Sequence, residues 1–144
     1  MYSGVDMETK KFKVPARWYL EDNVRPWTLN SERRWHWSKR ASVVKGTRER
    51  FFWLAKEANI PKLEVINIDV VPLITNRSAV ADVAAHYPSA KAAIDGLVDA
   101  GVISDDDDRH IAKISFWASV DWKHDGLRIV VTDASKKNKE RIDD

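Results

Sequence analysis

Between Asp82 and Ile111 the chain sets an aspartate, a lysine nine residues later at Lys91, a second aspartate one helical turn on at Asp95, and then the run Asp105–Asp108. Carboxylates at this density repel one another unless solvent, a cation or a metal relieves them, and hard oxygen donors in a cluster suit a divalent ion such as Mg²⁺. A lysine among them suits phosphate chemistry. Lys91 and Asp95 are i,i+4 neighbours on one helix face. From Lys91 to Asp99 a helix rises about 12 Å. A chain that reverses at Gly101 and returns extended covers a similar distance in four or five residues, at roughly 3.3 Å each. That path carries Asp105 or Asp106 back beside Lys91 and Asp95, near the loop that holds Asp82, so four acids and one lysine can share a pocket. A cation in the first turn of a helix also sits at the positive end of the helix dipole and invites an anion. The plainer alternatives are a structural salt bridge for Lys91 and a solvated loop for the aspartate run. The run is no EF-hand loop, since the alternating ligands, central glycine and closing glutamate are missing. His86 reads as a loop hydrogen-bonder, and neither it nor His110 belongs to a metal or nucleophile motif.

A second set of residues lies upstream. Arg33, Arg34, Lys39, Arg40, Lys45, Arg48 and Arg50 are interleaved with Trp35, His36 and Trp37. Cations on one face supply phosphate contacts, the main salt-sensitive source of affinity for nucleic acid. Arg33, Arg34, Lys39, Arg40 and, further along, Arg77 are the residues expected to touch DNA. The competing view is a solvated helix surface whose aromatic residues face inward, and Trp37, Phe51 or Phe52 is expected in the core.

Composition narrows the classes. The net charge of +2 hides an asymmetry, because residues 1–60 hold 13 basic against 7 acidic side chains and residues 61–144 hold 11 against 15. One half can grip a polyanion while the other holds a cation. The absence of cysteine excludes disulfides, thiolate zinc sites and thiol catalysis. No apolar run approaches the roughly 20 residues of a membrane span, and no secretory-type leader is visible, so a cytoplasmic protein with no membrane partner is expected. No glycine-rich phosphate loop is present, which leaves a nucleotide cofactor without support.

These residues need elements to position them. Residues 1–10 are expected to be a flexible terminus, 11–134 one domain and 135–144 a polar tail. An edge strand is expected within Lys11–Leu20, limited by Pro15. A helix is expected from an N-cap at Asn30 or Ser31 towards Asn59, bent or divided at Gly46-Thr47. Residues 64–74 read as a strand with Ile66, Ile68 and Val70 on one face, and 75–87 as a polar loop. Pro88 suits the first turn of a helix whose stripe Ala90, Ala93, Ile94, Leu97 and Val98 is buried. Gly101 suits its C′ position. Residues 111–121 alternate, with Ala112, Ile114, Phe116, Ala118 and Val120 on one side. A turn at Asp125-Gly126 then leads to Leu127–Thr132 in an antiparallel hairpin. The helix–strand–helix–strand–strand order gives a mixed α/β, or α+β, class.

Lys91-x-x-x-Asp95-Gly-Leu, then Ala-Gly, then Asp105-Asp106 and Ile111 resemble the RusA-type Holliday-junction resolvases, in a longer-loop, phage-like branch with Pro88-Ser89 starting the helix. Pro26-Trp27 with Asn30 resembles, more weakly, that family's N-terminal region. The resemblance spans about residues 26–132. It implies a RusA-like fold and a homodimeric endonuclease that nicks four-way and other branched DNA with Mg²⁺, or Mn²⁺ in its place. It further implies Asp82, Lys91 and Asp106 as catalytic residues and Asp82, Asp95, Asp105 and Asp106 as metal ligands. Ala84 and Ala85 stand where the family carries an aspartate and an asparagine. The alternative is a branched-DNA-binding protein that does not cut.

Overall fold

The computed structural model describes residues 14–76 and 82–135. In chain order its elements are β1 (Arg17–Asp22), α1 (Leu29–Arg33), α2 (Trp37–Glu57), β2 (Ile66–Ile74), α3 (Tyr87–Asp99), β3 (Ile111–Phe116), β4 (Val120–Asp121) and β5 (Gly126–Asp133). The class is mixed α+β. The polar termini expected at 1–10 and 135–144 lie, Ser135 apart, outside the described residues, as does Arg77. Among the described residues no helix is long and apolar enough to cross a membrane.

The strands run in the order β1-β5-β2-β3, with β4 against the end of β2. β5 is antiparallel to both β1 and β2, while β3 and β4 are parallel to β2. This corrects the expected C-terminal hairpin, because β3 and β5 do not pair but flank β2 on opposite sides. Burial explains the outcome. Leu127, Ile129, Val130, Val131 and Thr132 are all buried, a near-continuous run that suits the interior of a sheet rather than an edge. β3 has Ala112 and Lys113 exposed and suits an edge. Strands joined through a helix, as β2 and β3 are through α3, pair in parallel.

The expected alternation of residues 111–121 holds only in part. Ile111 pairs with Ile66 but Lys113 with Asn67, so Ala112 is an extra residue in a bulge. Beyond it Ile114 and Phe116 align with Ile68 and Val70 and pack on the core, whereas Ala112, Ala118 and Val120 face solvent.

One face of the sheet presents Leu20, Ile66, Ile68, Val70, Leu127, Ile129 and Val131 to the two long helices. α2 meets it along Thr47, Phe51 and Ala55, four residues apart, and α3 along Ala90, Ala93, Ile94 and Leu97. The opposite face carries Arg17, Tyr19, Asp69, Val71, Arg128 and Val130 in a shallow depression. The basic segment is two helices rather than one bent at Gly46-Thr47. The break falls at Arg34–His36, where Trp35 turns against Trp27 with ring centroids 6.0 Å apart. His36 then caps α2, its Nδ1 accepting from the Ser38 amide. Thr28, not Asn30 or Ser31, caps α1. Thr47 is buried and accepts from Arg50 at 3.0 Å within an unbroken α2. Phe51 is core as expected, but Trp37 is 74% exposed, since the break turns it out at the first residue of α2.

Candidate functional site

Lys91 sits one turn into α3, with its ammonium between two carboxylates. It donates to Asp95 Oδ1 at 2.9 Å and to Asp106 Oδ2. Asp95 reaches it from the next turn of the same helix. Asp106 reaches it because the chain reverses tightly after α3. Gly101 takes φ 81°, a conformation open to glycine at little cost. The Val102 amide bonds the Leu97 carbonyl and the Gly101 amide the Val98 carbonyl, each at 3.0 Å, which closes the helix in a Schellman motif. Val102 and Ile103 are then buried, and the Val102 carbonyl accepts from the Leu63 amide at 2.7 Å. At the far end the His110 carbonyl accepts from Ile66 at 2.8 Å. A loop pinned at both ends delivers Asp106 beside Lys91.

Two of the remaining aspartates of the run serve the loop itself. Asp105 Oδ1 accepts from the Asp106 amide at 2.8 Å, and Asp107 pairs with Arg109 at 2.7 Å. The hydrogen bond from Lys91 outweighs burial and holds the Asp106 carboxyl below the usual aspartate range. Burial pulls the Lys91 ammonium down, but the hydrogen bonds to Asp106 and Asp95 together outweigh it and leave its pKa above the ordinary lysine value. Lys91 and Asp106 are therefore both charged at neutral pH.

Asp82 is placed elsewhere. It is exposed on the wall of a recess of about 890 Å³ that also holds Arg25, Arg33, His86 and Trp117. No hydrogen bond or ion pair joins its carboxylate to Lys91, Asp95 or Asp106 among the described residues. Nor do three or more histidine, aspartate or glutamate side chains converge as a metal site among them. In this arrangement Asp95 and Asp106 share the single charge of the Lys91 ammonium, while Asp82 lines the recess.

The recess and the Lys91 cluster are tied together through buried residues that the sequence did not mark as partners. The Ser89 hydroxyl, fully buried, accepts from the Trp27 amide at 2.8 Å and donates to the Trp27 carbonyl at 2.9 Å. The Leu29 amide bonds the Ala85 carbonyl at 3.1 Å. The start of α3 thus holds the segment entering α1. Both Pro26-Trp27 and Pro88-Ser89 were visible in the sequence, but nothing there indicated that they bind each other. His86 is buried at the head of α3, and burial, then the nearby Arg25, lowers its pKa, so the imidazole is neutral. Trp117 is the other contributor that sequence did not single out. It lies just past β3, with its indole N–H on Asp69 Oδ1 at 2.8 Å.

The basic surface divides by pairing. Arg40 bonds Glu32 at 3.2 Å, Arg48 chelates Asp99 with one bond of 2.8 Å, and Arg50 bonds Asp22 at 2.9 Å. Lys45 lies 4.0 Å from Glu49. Arg33, Arg34 and Lys39 are exposed and have no carboxylate partner among the described residues. Lys39 stands over the Trp35 ring at 4.9 Å. Of the described residues expected to touch DNA, three have a free charge and Arg40 does not. No family model matches the chain, and no curated protein sequence matches it either.

Proposed function

We propose that the chain is a structure-selective endodeoxyribonuclease that nicks four-way and other branched DNA by phosphodiester hydrolysis, requires Mg²⁺ or Mn²⁺, and works as a homodimer. The observation that supports the reading is Lys91 held charged between Asp95 and Asp106, on a molecule whose Arg33, Arg34 and Lys39 have no carboxylate partner among the described residues. The ordered lysine and acids also resemble the RusA-type resolvases. Lys91 is suited to neutralise charge that builds on a phosphate in the transition state. Asp106, kept ionised by Lys91, would be suited to hold a divalent ion, which supplies activation of the attacking water. Asp82 is the third acid of the reading, and two copies related by a two-fold axis would place one site on each of two opposing strands.

A second reading is a branched-DNA-binding protein that does not cut. The separation of Asp82 from the Lys91 cluster favours it. The two are separated by cleavage of a labelled synthetic four-way junction beside linear duplex, in EDTA, Mg²⁺ and Mn²⁺. Paired nicks confined to the junction, dependent on metal and lost in both Asp106→Asn and Asp82→Asn, are the expected result. Salt-sensitive junction binding without nicks in either metal would leave the binding protein. Failure to prefer the junction over duplex would remove both readings.

A further inference from the structure

We propose that the recess beside α1 receives unpaired single-stranded DNA, with one base stacked on Trp117 and the backbone held by Arg25 and Arg33. The inference rests on DNA being the ligand, and it assigns to the recess a role apart from the Lys91 cluster.

Size is the first argument. At about 890 Å³ the recess is near the upper end for ligand sites and has room for more than one nucleotide. A paired duplex keeps its bases stacked inward and cannot offer one to a concavity, whereas an unpaired strand can.

Charge is the second. Among the described residues the walls carry two arginines against one carboxylate, Asp82, and His86 is neutral. Arg33 has no carboxylate partner among the described residues, and Arg25 has only Asp125 at 3.8 Å. An anionic ligand satisfies both guanidinium groups.

The third is the platform. Trp117 is 56% exposed, and its indole edge is fixed by Asp69 at 2.8 Å. A ring held at its edge loses little freedom when a base covers its face. Such stacking tolerates any base and is a main source of affinity for single strands. Ala84, Ala85 and Ala118 also line the recess, and side chains this small let a flat base approach the wall.

The test is fluorescence anisotropy with a labelled oligothymidylate of about 12 residues, a length that spans an ordinary single-strand site. Trp117→Ala is expected to weaken binding by about tenfold and Trp117→Phe to restore most of it. Arg33→Ala should lower the slope of log affinity against log salt by about 0.7. Lys62→Ala removes an exposed charge near the opposite end of β2 and should leave the affinity near wild type. Free thymidine monophosphate should not compete at comparable concentration. Melting curves matched to wild type establish that each variant is folded. The proposal is overturned if wild type does not bind the oligomer, if Trp117→Ala binds as tightly as wild type, or if the mononucleotide competes equally. Junction cleavage is scored separately. Nicking with Trp117-independent binding removes the recess proposal alone, and Trp117-dependent binding without nicking removes the nuclease reading alone.

Discussion

Gly96→Ala tests the helix crossing that fixes the Lys91 cluster. In an ordinary helix interior this change stabilises by about 1 kcal/mol, because alanine loses less backbone freedom on folding. Here a Cβ on Gly96 would lie 2.4 Å from the Arg48 carbonyl oxygen and 3.1 Å from both Phe51 Cβ and the Phe52 nitrogen. The nearest atom is backbone and cannot rotate away, so α2 and α3 would have to separate by about 1 Å to restore ordinary contact. Overpacking of this kind costs about 1–3 kcal/mol. Taking the upper value for a backbone clash and subtracting the propensity gain leaves a net loss of about 2 kcal/mol. For a chain of this size that lowers Tm by roughly 4–8 °C. The control is Gly46→Ala on α2, where the added methyl meets no backbone but only the Arg50 guanidinium, at 3.2 Å. It should lower Tm less than Gly96→Ala does. Thermal unfolding followed by circular dichroism reads both. A Gly96→Ala variant as stable as wild type would refute the close crossing, and with it the explanation of how α3 is held.

Ser89→Ala removes the partner of a buried amide and a buried carbonyl on Trp27. Unsatisfied buried groups of this kind cost about 1–3 kcal/mol, so urea unfolding should show a loss of that size, and a loss under about 0.5 kcal/mol would argue against the clamp. The Lys91–Asp106 pair carries a definite pH signature. The Asp106 carboxyl is depressed, so its contribution is present above the unfolded value near 3.9 and is lost as pH falls through the folded value. Lys91 is raised, so its contribution is present below about 10.4 and is lost as pH rises through the folded value. The Tm difference between wild type and Asp106→Asn should therefore be flat from about pH 5 to 9 and shrink on either side. With Lys91 44% exposed, solvent screening keeps it to about 1 kcal/mol or less; a difference that does not shrink at all as pH falls below the unfolded value would contradict the pairing. For duplex or junction binding followed across a salt titration, Arg33→Ala, Arg34→Ala and Lys39→Ala should each lower the salt slope by about 0.9. Arg40→Ala should lower it less, because its guanidinium is held by Glu32 at 3.2 Å.

Local pattern carried much of the fold. The strand at Ile66, Ile68 and Val70, the stripe of α3 and the reversal at Gly101 are set by periodicity and by one residue's backbone freedom, and sequence reasoning reaches them. It did not reach the pairing of β5, because alternation describes the faces of a strand and not its neighbours. It missed the break at Arg34–His36 because no glycine or proline marks it; a tilted pair of tryptophans and a histidine cap make it. At the site, helix geometry and chain reach were enough to bring Asp106 to Lys91 and Asp95. Asp82 depends on a loop whose path is set by the Ser89–Trp27 clamp and the Leu29–Ala85 bond, and neither has a local signature.

That dependence makes α3 an element with two distinct faces. Ser89 and Gly96, seven residues apart and so two turns along one line, meet the Trp27 segment and α2 respectively; Ser89 is fully buried, and Gly96 leaves no room for a Cβ. Lys91 and Asp95 project from a different face of the same helix and are 44% and 27% exposed at the side chain. The orientation of the charged pair is thus fixed by uncharged residues that never touch it. A substitution on the small-residue line would move Lys91 relative to Asp106, which is anchored separately through Val102 and Ile103. The recess would move with it, since Ser89 also holds the chain that leads from Arg25 to Arg33. Single-strand binding and nicking should therefore fall together in Ser89→Ala, whereas Trp117→Ala and Asp106→Asn should separate them.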